Sequence, residues 1–117
     1  MNNSLTLRYL SLLFPLFLAS CGSSDNEAQA LLKEAESNWS QVFKSSPYQE
    51  GTSFSLAPER ITDCITKLSV ASQKLKDLES KYADTKTAKD SKTITFDKNA
   101  EKALSFCKIA KQQSGGL

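Results

Sequence analysis

Ile61-Thr-Asp-Cys-Ile-Thr-Lys-Leu-Ser-Val-Ala-Ser-Gln-Lys-Leu-Lys-Asp-Leu-Glu-Ser-Lys-Tyr82 decides the fold class of this 117-residue chain. Ile61, Leu68, Leu75 and Tyr82 recur every seven residues, and so do Cys64, Ala71 and Leu78. Apolar residues spaced alternately by three and four share one stripe of an α-helix, whereas a strand scatters them over both faces. The result is an a/d seam three heptads long, with no Gly or Pro inside it. Arg60, Lys67, Lys74 and Lys81 form a parallel line of basic residues with the same repeat. Long basic side chains in such a line ordinarily make a solvated edge whose stems cover the core. The same line is a candidate basic face for anionic headgroups or an acidic partner.

Working upstream, Pro58 suits the first turn of this helix. Residues 45–57 contain Pro47 and Gly51 and read as a loop. Before them, Ala28, Leu32, Ala35, Trp39 and Val42 alternate by four and three, with Leu31 and Phe43 widening the stripe. That pattern predicts a helix to about Lys44, and Ser24 and Glu27 have the spacing of a capping box at its start. Downstream, residues 84–95 are polar and threonine-rich and read as a connector. A last helix is expected from Phe96 or Asp97 to about Gln112, with Phe96, Ala100, Ala103, Cys107 and Ala110 on its seam. Residues 113–117 end in Gly-Gly-Leu and are expected to be a disordered tail. The fold expected is all-α: a small three-helix antiparallel bundle over residues 27–112.

The N-terminus has a different character. Arg8 is the only charged residue before Asp25. Tyr9 to Leu18 is apolar, shorter than the roughly 20 residues that cross a bilayer, and broken by Pro15. These are the parts of a secretory signal. Its end, Leu18-Ala19-Ser20-Cys21, resembles the lipobox of bacterial lipoproteins. The resemblance covers about 22 residues and implies that residues 1–20 are a cleaved signal peptide. It implies diacylation of the Cys21 thiol, with palmitate-type chains, and often acylation of the new amine. Gly22 stands where such lipoproteins carry Asp for inner-membrane retention, which points to the outer membrane, facing the periplasm. Each buried methylene contributes about 0.8 kcal/mol, so two or three chains on one residue hold the protein to the leaflet. Residues 21–26 would be the lipidated cysteine and a short tether, of which five extended residues reach at most about 18 Å.

With Cys21 assigned to the anchor, Cys64 and Cys107 remain as a pair. An exported compartment is oxidising, so a disulfide is the first expectation. Two free buried thiols or a metal pair are the alternatives, and the chain has no histidine to help hold a metal. If the last two helices pack antiparallel with Cys64 against Cys107, then Leu68 faces Ala103, Ala71 faces Ala100, Leu75 faces Phe96 and Ile61 faces Ala110. Every layer is apolar. Leu78 and Tyr82 then extend past the start of the last helix. They need cover from the connector, the first helix or a partner, and are the first candidate partner contact. Tyr48 and Phe54 in the loop are the second. For either pair a core contact is the commoner role.

Charge is unevenly spread. Residues 25–63 carry three basic and seven acidic side chains, and residues 67–111 carry eleven lysines and six acids. The two halves can attract each other. Nucleic acid is not an expected partner, because the implied compartment is wrong and the basic half lacks interleaved aromatics. The absence of histidine removes the usual base of a nucleophilic triad, and no glycine-rich phosphate loop is present. Glu34 and Glu36 lie two apart on an expected helix, as do Asp77 and Glu79, so neither pair shares a face. No catalytic residue, no metal and no cofactor beyond the acyl chains on Cys21 is expected. The function expected is a membrane-anchored, non-catalytic interaction or accessory module with a protein partner in the envelope, of exclusion or assembly type. The alternative is a binder of a lipid or other apolar ligand, held near Leu32, Trp39, Leu75 and Tyr82.

Overall fold

The computed structural model describes residues 24–113. Residues 1–23, which hold the expected signal peptide and Cys21, and residues 114–117, the expected tail, lie outside the described residues. The chain is helical from residue 24 to residue 40 (α1), then irregular to residue 57. A 3-10 turn, Pro58–Arg60, leads into α2, Ile61–Lys81. A single helical turn, Lys86–Lys89 (α3), precedes α4, Ser91–Gln113. No strand occurs among the described residues.

Helices α2 and α4 run antiparallel. Cys64 is disulfide-bonded to Cys107, with Cα atoms 6.3 Å apart. At the same end Lys111 Nζ donates to Thr62 Oγ1 at 3.1 Å, and farther along Lys76 Nζ meets Glu101 Oε2 at 2.6 Å. The middle of the expected seam is buried: Cys64, Leu68, Ala71, Leu75, Phe96, Ala100, Ala103 and Cys107 are all fully enclosed, while Ile61, Tyr82 and Ala110 at its ends are half-buried. The small residues on α4 allow close approach, and α1 supplies the bulk. Trp39 is 1 % exposed, and its ring lies 5.9 Å from that of Phe96. Helix α1 runs antiparallel to α2: Glu34 pairs with Lys74 at 3.2 Å, and past the end of α1 the Gln41 carbonyl accepts from Arg60 at 2.6 Å.

Two expectations need correction. First, four helices are described, not three. Residues 84–95 are not a plain connector but hold α3 and the first turn of α4. Polar caps make this possible. Thr85 Oγ1 accepts from Ala88 N at 3.2 Å and starts α3. Asp90 Oδ1 accepts from Lys92 N at 2.9 Å, so α4 begins five residues before Phe96. Second, α1 ends at residue 40, short of the expected Lys44.

The loop after α1 is tied to α4. Asn99 is 3 % exposed, and its Nδ2 donates to the carbonyls of Pro47 at 2.7 Å and Gln49 at 2.9 Å. Gly51 has φ 71°, the left-handed conformation that only glycine adopts at little cost, and it turns the loop there. Among the described residues no helix is long and apolar enough to cross a membrane.

Candidate functional site

The structure assigns most residues of the two candidate contact regions to packing. At the α2 C-terminus, Leu78 is fully enclosed by Ala28 of α1 and Ala88 of α3, with Leu31, Leu32 and Tyr82 around them. Of the covers expected for Leu78, the connector segment and the first helix supply it, so Leu78 is not open to a partner. Tyr82 is half-buried, and its hydroxyl is held above its ordinary pKa first by the hydrogen bond to Glu27 and then by burial. The lid is fastened by Asp25, whose Oδ1 accepts from Thr87 N at 3.1 Å and Thr87 Oγ1 at 2.9 Å.

The loop aromatics also join the core. Phe54 lies 6.0 Å from Trp39, 5.4 Å from Phe43 and 6.0 Å from Phe106, ring centre to ring centre. Tyr48 packs edge-on against Phe96 at 5.4 Å, and its hydroxyl donates to the Glu36 carboxylate. Burial, and then Glu36, push the Tyr48 pKa above its ordinary value. Neither residue is free for a partner without opening these contacts. Leu32, Trp39, Leu75 and Tyr82, named for an apolar ligand, are likewise packed. Trp39 also edges an open surface groove of about 520 Å³, shared with Glu36, Phe43, Lys44, Pro47 and Tyr48.

The basic line is divided in its roles. Arg60 pairs with Asp63 at 3.1 Å, and Lys74 pairs with Glu34. Lys67 is half-buried and Lys81 exposed, and neither forms an ion pair among the described residues. Through Arg60 and Lys74 the line borders α1 and the chain that follows it, and Glu34 is the acid across from Lys74. That is the internal attraction expected from the charge asymmetry. No group of three or more Cys, Asp or Glu side chains suited to a metal occurs among the described residues.

One charged cluster was invisible to a search along single helices. Glu79 of α2 faces Asp97 of α4, with Lys76 and Glu101 beside them. Ionised, the two carboxylates offer each other only acceptors, and the buried Asp97 Oδ1 has no donor. Protonated, Glu79 donates to Asp97. Burial first, then the charge of Asp97 and this hydrogen bond, raise the Glu79 pKa above its ordinary 4.5, against the opposing effect of Lys76. The folded state thus binds a proton that the unfolded chain releases at lower pH. Stability falls as pH rises from the unfolded carboxyl value through the raised folded value, and above that the repulsion is fully present. Glu79→Gln keeps a donor toward Asp97 and removes the charge. It should raise the melting temperature at pH 7 by a few degrees at most, because solvent screens so accessible a pair, and flatten the decline between mild acid and neutrality. Parallel melts at pH 4.5 and 7 check this; an unchanged pH profile in the variant would remove Glu79 from the account.

No family model, curated protein or solved structure matches the chain.

Proposed function

We propose that the chain is a lipid-anchored, non-catalytic interaction module of the bacterial cell envelope, on the periplasmic side of the outer membrane. Its domain in this reading is a three-helix antiparallel bundle, α1, α2 and α4, with α3 as a lid. The observation that carries the proposal is Leu18-Ala19-Ser20-Cys21, an apolar run ending in a lipobox-like cysteine only three residues before helical structure is described. The disulfide supports it, because such bridges persist in exported compartments and are rare in the cytosol. The absence of histidine and the packing of the aromatic residues favour a surface that binds over a pocket that reacts.

Cys21→Ala tests the anchor. In a bacterial host, fatty-acid labelling and intact-mass analysis should find at least two acyl chains on the wild-type protein and none on the variant. The variant should also leave the membrane fraction, since its residual affinity would be that of an unacylated domain. A wild-type protein of unprocessed mass, or one released by salt alone, would overturn the reading.

A further inference from the structure

We infer that the end of the domain built by the α2 C-terminus, α3 and the first turn of α4 is its leaflet-facing surface, docking on anionic phospholipid headgroups through Lys81, Lys86, Lys89 and Lys92. The inference rests on the proposed anchor at Cys21 and adds an orientation and a lipid preference to it.

The position of the chain start makes the first argument. Asp25 is hydrogen-bonded to Thr87, and Ala28 packs with Leu78 and Ala88, so α1 begins against α3. Only residues 22 and 23 separate Cys21 from Ser24. Three residue steps extend at most about 11 Å, so an acylated Cys21 holds this end at headgroup level. Charge makes the second argument. All four lysines are exposed, and none forms an ion pair with a described residue. The nearby acids are mostly engaged within the fold: Asp25 with Thr87, Glu27 with the Tyr82 hydroxyl, and Asp90 with the Lys92 amide. Asp84 is the exposed exception. Lysine stems are long enough to lower their ammonium groups to phosphates while the helix ends stay above them. The threonine-rich stretch gains a purpose: Thr85 and Thr87 close the core from below with hydrogen bonds, and the lysines between and after them point outward from the lid.

The test uses the acylated protein purified from membranes and placed in nanodiscs of phosphatidylcholine, with or without phosphatidylglycerol. Lysine acetylation is read residue by residue by mass spectrometry. In the anionic discs the reactivity of Lys81, Lys86, Lys89 and Lys92 should fall by about threefold or more, and return at about 0.5 M salt, where screening is nearly complete. Lys98, Lys102 and Lys108 should be unaffected. Lys86→Glu combined with Lys89→Glu, both at exposed positions, should abolish the protection while leaving acylation and melting temperature unchanged. Equal labelling in both discs, or protection of Lys98 and Lys102 instead, overturns the orientation. Protection seen in native membranes but not in anionic discs replaces the lipid with an acidic protein and also overturns it. If the protein carries no acyl chain, the anchor reading fails separately. Flotation of that protein with phosphatidylglycerol vesicles then decides the face: binding lost in the double variant supports it, and no binding rejects it.

Discussion

Replacing both Cys64 and Cys107 by alanine should lower the melting temperature by about 15–30 °C. The bridge joins residues 43 apart in sequence. In the chain-entropy account, closing a loop of that length removes about 4 kcal/mol worth of freedom from the unfolded chain. For a domain of this size each kcal/mol moves the midpoint by roughly 4–8 °C. The position of the bridge strengthens the expectation. It ties the N-terminal part of α2 to the C-terminal part of α4, while α3 and its caps join them at the other end. The α2–α4 pair is thus closed at both ends, and cutting the bridge loosens the end where the Lys111–Thr62 contact and apolar packing remain. Both sulfurs are fully enclosed, so alanine leaves a small void but no stranded polar group. Cys107→Ser alone should fall further, by about 1–2 kcal/mol, because it buries a hydroxyl beside an unpaired thiol. Circular dichroism melts of wild type, with and without reductant, and of both variants separate these contributions. A double-alanine variant melting within 5 °C of wild type would remove the staple from the stability account.

The sequence was most readable where one residue type served one purpose. Leu68, Ala71, Leu75, Phe96, Ala100 and Ala103 lie on their seams by heptad spacing alone, and all are enclosed as that spacing requires. The two cysteines occupied matching seam positions, so the register of α2 against α4 followed from the pairing. Reading failed at Thr85, Thr87 and Thr93, which are buried although polar. Hydropathy treats a threonine as solvent-facing, but Thr85 and Thr87 satisfy their hydroxyls with Tyr82 O and Asp25 Oδ1, so their burial carries no unmet hydrogen bond. The partner of Thr87 is 62 positions away, which no local pattern reveals. Glu79 and Asp97 escaped for the same reason. Carboxylates were compared along one helix, whereas antiparallel packing juxtaposes residues by their sum, near that of the cysteine pair. Asn99 sits beside the seam and could have been suspected as a buried amide. Its partners are loop carbonyls, however, and carbonyls leave no trace in side-chain sequence.

Trp39→Ala should be about as damaging as loss of the disulfide, at about 3–5 kcal/mol. The indole is 1 % exposed and meets three rings: Phe43 at 4.8 Å on its own side, Phe96 of α4 at 5.9 Å and Phe54 of the loop at 6.0 Å. It is the bulk that fills the space left by the alanines of α4, which cannot expand to replace it. Its Nε1 also donates to Ser45 O at 2.7 Å, fixing the chain where α1 gives way to the loop. Trp39→Phe keeps most of the ring and loses the donor. Ser45 is exposed, so water can replace that bond, and the cost should be nearer 1 kcal/mol. The two variants therefore divide packing from hydrogen bonding. Hydrogen exchange adds a positional readout: in Trp39→Ala the amides of residues 41–57 should lose protection ahead of those in α2, because the loop is then held by a few separate ties, among them Asn99, Tyr48, Phe54 and the Arg60–Gln41 bond. An alanine variant melting within 5 °C of wild type, with loop protection intact, would mean that the aromatic cluster is dispensable and free to serve a ligand. The expected loss instead commits Trp39, Phe54 and Tyr48 to holding the fold. A partner is then left with surface that the core does not require, and the lysine-bearing end next to the start of α1 is one such surface.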